Sequence, residues 1–182
     1  MRKIRADIGV ASAHSRCARM LHVTAGNGDR YLIRQATESD LDAIAAFEVE
    51  IALVSFGDEA ITDAAFHRRR VAGSLGKTGE IALVAVGSAD KPLGWAWMSP
   101  RTNSLTGARY GNFRSLAVAE VPDRGPIGEL LMTAILDEAA EAGFTHLAGK
   151  VNAANLGMRA LYRAFGFTAT HLTMEKRVTG PP

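Results

Sequence analysis

From Tyr31 onward the apolar positions recur with two periods, two and about 3.6, and their order along the chain predicts the elements. "YLIRQAT" (31–37) reads as a short strand, and "ESDLDAIAAFEVEIALVS" (38–55) as a helix opened by Thr37 and an acidic first turn. "ITDAAFHRRRVAGSL" (61–75) predicts a second helix. "EIALVAVG" (80–87) and "PLGWAWMSP" (92–100) flank the turn "SADK" as a hairpin. "ARYGNFRSLAVAE" (108–120) is a longer strand, followed by a glycine-containing turn and a helix with Ile127, Leu130, Leu131, Ala134 and Ile135 on one stripe. Gly143 is a natural stop for that helix. "HLAGKVN" (146–152) predicts a strand, "NLGMRALYRAF" (155–165) a helix and "HLTMEKRV" (171–178) a final strand. Antiparallel hairpins followed by strand–helix–strand units make a mixed α/β sheet flanked by helices.

Residues 1 to 30 lack this order: they are rich in Arg and small residues and end in "GNGD", so they read as a flexible extension ahead of a domain at 31–178. Composition narrows the partners. A chain of 182 residues that is 47% hydrophobic and 22% charged can build its own core without a structural metal. A net charge of +2 gives no footprint for nucleic acid. No apolar run reaches the ~20 residues of a membrane span. The single cysteine, Cys17, excludes an internal disulfide framework and suits the cytoplasm. "GSLGKT" (73–78) imitates the end of a nucleotide-binding P-loop, but Val71 stands where its first glycine belongs.

The turn "DRGPIG" (123–128) opens a helix, whose free N–H groups and partial positive charge suit an anion such as a phosphate. Taken with "SLAV" before it, "NLGMRALYRAFGF" after it and the closing "HLTMEK", this turn resembles the GNAT superfamily of acyl-CoA-dependent N-acyltransferases. The resemblance covers about residues 31 to 178. It implies splayed central strands with acetyl-CoA in the gap. The backbone of Leu116, Ala117 and Val118 would bind the pantetheine and acyl carbonyl. Arg124, Gly125, Ile127 and Gly128 would hold the pyrophosphate, Asn155 would touch the CoA arm, and Tyr162 would face the sulfur. The expected reaction is transfer of an acetyl group to a primary amine of a small molecule or peptide, by direct attack. A homodimer is the commonest assembly for such a chain. Two positions depart from the family's loop, Arg/Gln-x-x-Gly-x-Gly/Ala: Asp123 and Pro126 replace the basic residue and the first glycine. Pro126 has no N–H to give, and Asp123 brings negative charge toward a phosphate site.

For the acceptor side, Leu41, Ile44, Ala45, Ile51, Ala52 and Ser55 share a helix face with Glu48 in its middle, while Glu50 falls on the opposite, solvent side. A carboxylate in an apolar stripe is paired, protonated or opened to a cleft. In the resembled family the first two helices help form the acceptor pocket, which implies that Glu48 binds or deprotonates an amine; otherwise it is half of a salt bridge. Strand alternation puts Asn112 and Arg114 on the face of Leu116 and Val118, as candidate substrate-binding residues. Arg114 then needs a carboxylate, Glu48 first and Asp58 or Glu59 next, or else it meets an anionic acceptor. His146 and His171 are weaker base candidates, and Asn103, Thr106 and Tyr110 of the 99–112 segment are candidate acceptor contacts. Trp95 and Trp97 read as core. Two other functions stay open: a non-catalytic domain that binds an acyl-CoA or an amine, and an acyltransferase using a larger acyl-CoA, with room at Gly111 and Ala117.

Overall fold

A computed structural model describes residues 21–24 and 30–176. Six strands form one sheet in chain order: β1 (Leu21–Thr24), β2 (Arg30–Gln35), β3 (Ile81–Val86), β4 (Pro92–Thr102), β5 (Arg109–Val118) and β6 (Leu147–Gly149). Neighbours are antiparallel through β5, and only β5 and β6 run parallel. That parallel pair needs a crossover, supplied by α3 (Arg124–Glu141). The other helices are α1 (Leu41–Phe56), α2 (Ala64–Ala72) and α4 (Leu156–Ala164).

Strand alternation splits the core between the two faces of the sheet. Ala82, Val84 and Val86 of β3 pack with Trp95, Trp97 and the α1–α2 residues Ile44, Phe47 and Val71. Leu83 and Ala85 look the other way, with Ala96, Met98 and the α3 residues Ile127, Leu131 and Ile135. Every residue of β3 is buried, which is why "IALVAV" is a continuous apolar run rather than an alternating one. Both tryptophans are core residues, as their spacing predicts. Gly143 follows α3 with φ +78°, the left-handed position where glycine carries no Cβ penalty.

Two expectations are corrected at the ends. Leu21–Thr24, assigned by the sequence to the extension, pair with β2 and add an edge strand. The rest of residues 1 to 29 lies outside the described residues. The final strand over 171–178 does not form where it is described: residues 171–176 have no regular structure, and Leu172 and Met174 are each 88% exposed. Arg177 and Val178 lie outside the described residues. No helix among the described residues is long and apolar enough to cross a membrane.

One ion-pair cluster ties the sheet to α1. Arg34 on β2 donates to both Asp40 oxygens, at 2.7 and 3.0 Å, and to Asp90 of the β3–β4 turn at 3.0 Å. Asp40 also accepts from the Thr37 amide at 2.8 Å and hydroxyl at 2.9 Å, at the helix start expected there. Burial opposes ionisation of Asp40, but Arg34 and Thr37 outweigh it and hold the carboxyl below its ordinary range. Stability from Asp40 is therefore complete above its unfolded pKa, near 4, and is lost as pH falls through the lower folded value. We expect Asp40→Asn to cost about 2 kcal/mol at pH 7, and to flatten the loss of stability below pH ~4. Urea unfolding at pH 7 and pH 3 checks both.

Candidate active site

The site arises where β5 and β6 part. Their ladder runs only from Gly111 opposite Leu147 to Phe113 opposite Gly149. β6 then ends, while β5 continues to Val118 with β4 on its other side only. The β5 backbone beyond Phe113 thus presents unpaired N–H and C=O groups to a cleft of about 170 Å³. Ile51, Val54 and Ser55 of α1 wall one side, and Lys150, Val151 and Asn152 the other.

A register shift shapes this edge. Trp97 faces Ser115, yet Met98 faces Phe113, so Arg114 is the extra residue of a β-bulge. The bulge reverses the alternation. Phe113 packs in the α3–α4 core, whereas Arg114 lies over Trp97 on the α1–α2 face. Asn112, opposite Ser99, stays on that second face and does not line the cleft. The expectation that Asn112 and Arg114 share the face of Leu116 and Val118 is therefore wrong by one residue of parity. The expected Arg114–Glu48 pair is also absent.

Glu48 is 2% exposed, accepts from Trp95 Nε1 at 2.8 Å and pairs with Arg70 of α2. It does not line the cleft. Glu50 does, although the sequence puts it toward solvent. Residues two apart on a helix lie about 200° apart, so only one can face the sheet. Glu48 takes that place, and the flank carrying Glu50, Ile51 and Val54 overhangs the gap beyond β5. Ser115 and Lys150 are further lining residues that periodicity does not single out.

Of the remaining candidates, Leu116, Ala117, Arg124, Asn155 and Tyr162 line the cleft, whereas Val118, Gly125, Ile127 and Gly128 do not. At the start of α3, Arg124 N–H donates to Val121 O, Pro126 has no N–H and Ile127 N–H donates to Asp123 O. The Gly125 amide has no backbone acceptor among the described residues. Asp123 accepts from Tyr31 Oη at 2.8 Å, an anchor on β2. Arg124 pairs with Glu120, and with Glu50 at 3.6 Å. A cation at a helix N-terminus opposes the helix dipole, so its place there needs those carboxylates or another anion.

Asn155 caps α4, its Oδ1 accepting from Met158 N–H at 2.9 Å, while its Nδ2 makes no hydrogen bond among the described residues. Tyr162 is buried with its ring 6.0 Å from Phe113 and 4.7 Å from Phe167. Burial pushes its phenol above the ordinary value near 10. Its hydroxyl occupies the space that a Cβ at Gly149 would need, so only glycine lets β6 approach it.

The other acceptor candidates lie elsewhere. Asn103 Oδ1 accepts from Leu105 and Thr106 N–H in a self-capped turn, Tyr110 packs on His146, and His171 bonds Thr170. None of them lines the cleft. A Cβ at Gly111 would overlap Met98, so no acyl room exists there; Ala117 alone of that pair faces the cleft.

Residues 37–167 match the model of the acetyltransferase (GNAT) family. The chain matches no curated protein. Solved structures share the fold at low identity. A BH1408 protein variant from Bacillus halodurans superposes with TM-score 0.72 and 19% identity over 81% of this chain and 99% of its own. A possible acetyltransferase from Clostridium difficile 630 gives 0.65 and 19% over 82% and 97%. An aminoglycoside antibiotic 6'-N-acetyltransferase from Acinetobacter baumannii gives 0.61 and 17% over 82% and 99%.

Proposed function

The chain belongs to the acetyltransferase (GNAT) family, and from that premise we propose that it transfers an acetyl group from acetyl-CoA to a primary amine. The observation that carries this reading is the unpaired edge of β5 beyond Phe113, opening on Arg124, Asn155 and Tyr162. Its free peptide groups suit the amides of a pantetheine arm. Arg124 and the Gly125 amide suit a pyrophosphate, and the Tyr31 hydrogen bond keeps Asp123 occupied beside them. Acetyl-CoA would supply the thioester carbon for attack and a thiol as leaving group.

The chain's own groups then handle protons. An alkylamine with pKa about 10.4 costs roughly 4–5 kcal/mol to deprotonate at pH 7. Glu50, rather than Glu48, is the carboxylate that lines the cleft and can receive that proton, directly or through water. Tyr162 stays protonated across the neutral range and donates a hydrogen bond to the departing sulfur. The fold and the single cysteine suit a cytoplasmic enzyme.

Replacing Arg124 by Ala should weaken CoA binding about 10- to 100-fold, the scale of a charge-assisted contact. Its stability should change little, because the residue is half-exposed. Calorimetry and thermal melting separate the two effects. The reaction itself is tested by amine-dependent CoA release over a panel of amino acids, polyamines, aminoglycosides and peptides, with the acetylated product identified by mass. Turnover on one class supports the reading; binding of acetyl-CoA without turnover on any class favours a non-catalytic binding domain.

A further inference from the structure

Among the described residues Arg114 has no carboxylate partner. Arg34, Arg68, Arg69, Arg70 and Arg124 each form an ion pair, but no described carboxylate comes within ion-pair distance of Arg114. Its guanidinium lies 3.8 Å over the Trp97 ring, and Nη1 donates to Ser99 Oγ at 3.2 Å. A guanidinium has five N–H donors in a planar fork, so most of this one has no partner among the described residues. The nearby carboxylates are already engaged. Glu80 accepts from Trp97 Nε1 at 2.6 Å and Ser99 Oγ at 2.7 Å, and Glu48 is held by Arg70 and Trp95.

The surroundings do not compensate it either. Burial lowers the pKa of Arg114, and the charges of Arg70 and Arg101 push the same way against Glu80 and Glu48. The cleft it lines carries two more cations, Arg124 and Lys150, against one carboxylate, Glu50. Arg124 is the cation assigned above to the diphosphate. Arg114 is thus a half-buried cation whose rigid fork is fixed by a tryptophan and a serine, at a residue that borders a cleft with an excess of positive charge.

We infer that Arg114 is a carboxylate-binding specificity residue and that the acceptor is an amine bearing a carboxylate, a free amino acid. This rests on the acetyltransferase reading. Arg114 and Leu116 both border the cleft, so one short molecule can carry the bound anion and the reacting amine. A planar fork matches a carboxylate with two parallel hydrogen bonds. Polycationic acceptors such as polyamines and aminoglycosides are repelled by the same charges.

The test is calorimetric titration of the CoA-saturated protein with amino acids and with their C-terminal amides, which keep the amine and lose the carboxylate, and with spermidine. At least one acid should bind 10-fold or more tightly than its amide, and acetylation rates should follow the same order. Arg114→Gln should abolish that preference while its CoA affinity stays within twofold of wild type. Amides or spermidine binding as well as the acids, or a preference that survives Arg114→Gln, would overturn the inference and leave acetyl transfer standing. Should the protein bind neither CoA nor acetyl-CoA, the acetyltransferase reading fails, and the acid–amide comparison on the free protein decides the inference alone.

Discussion

Tyr162→Phe is expected to lower kcat about 100-fold, the lower end of what a positioned proton donor contributes, with acetyl-CoA affinity nearly unchanged. The substitution removes one oxygen and keeps the ring between Phe113 and Phe167. Packing and fold should therefore survive. What is lost is the donor whose hydroxyl sits against Gly149, at the point where the strands part. Because burial raises the phenol's pKa, the proposed role is donation of a hydrogen bond to the developing thiolate, and full ionisation of Tyr162 is not required. Rates should therefore show no descending limb from this phenol up to pH ~10. Steady-state kinetics with thioesters of different leaving thiols provide the check. The mutant should lose most on the poorest leaving group. An unchanged kcat would make Tyr162 a core residue only.

Glu48→Ala has the largest expected effect on stability, about 3 kcal/mol, because one change strips the partners of both Arg70 and Trp95 Nε1. Arg70 is 37% exposed and can turn to water, which holds the cost to the low end for a broken buried pair. For a chain of this size that corresponds to a drop in Tm of roughly 6–12 °C. Glu48→Gln keeps an acceptor for the tryptophan and should cost less. Both variants should keep acetyl-transfer activity per folded molecule within a few-fold of wild type, since Glu48 lies outside the cleft. A stable Glu48→Gln protein with activity abolished would return Glu48 to the role of base and displace Glu50.

The four helices and strands β2 to β5 were legible because each is a run of one period long enough to average out exceptions, whereas the four-residue β1 is too short to show one. Single inserted residues were not. The bulge at Arg114 reverses the parity of β5, and nothing in "YGNFRSLAV" marks where the extra residue falls. That one residue moved Phe113 into the α3–α4 core and separated Arg114 from Leu116. Glu48 illustrates the opposite case: its burial was readable from the apolar stripe, but its partner Arg70 comes from α2, another helix 22 residues further along the chain. Glu50 was missed because periodicity describes a helix against a sheet and cannot describe one overhanging a gap. Asp123 looked hostile to a phosphate because its partner, Tyr31, lies 92 residues away in the chain. The final strand failed because alternation in "HLTMEK" states only what a strand would bury, and among the described residues nothing covers Leu172 and Met174.

On the proposed function, the gap between β5 and β6 binds acetyl-CoA although Pro126 and Asp123 alter its turn. Calorimetric titration of the purified protein with acetyl-CoA and, separately, with CoA tests it most directly. The expected result is one site per chain with micromolar affinity for both ligands. Absence of heat and of competition with either ligand, from protein shown to be folded by its thermal transition, would contradict it.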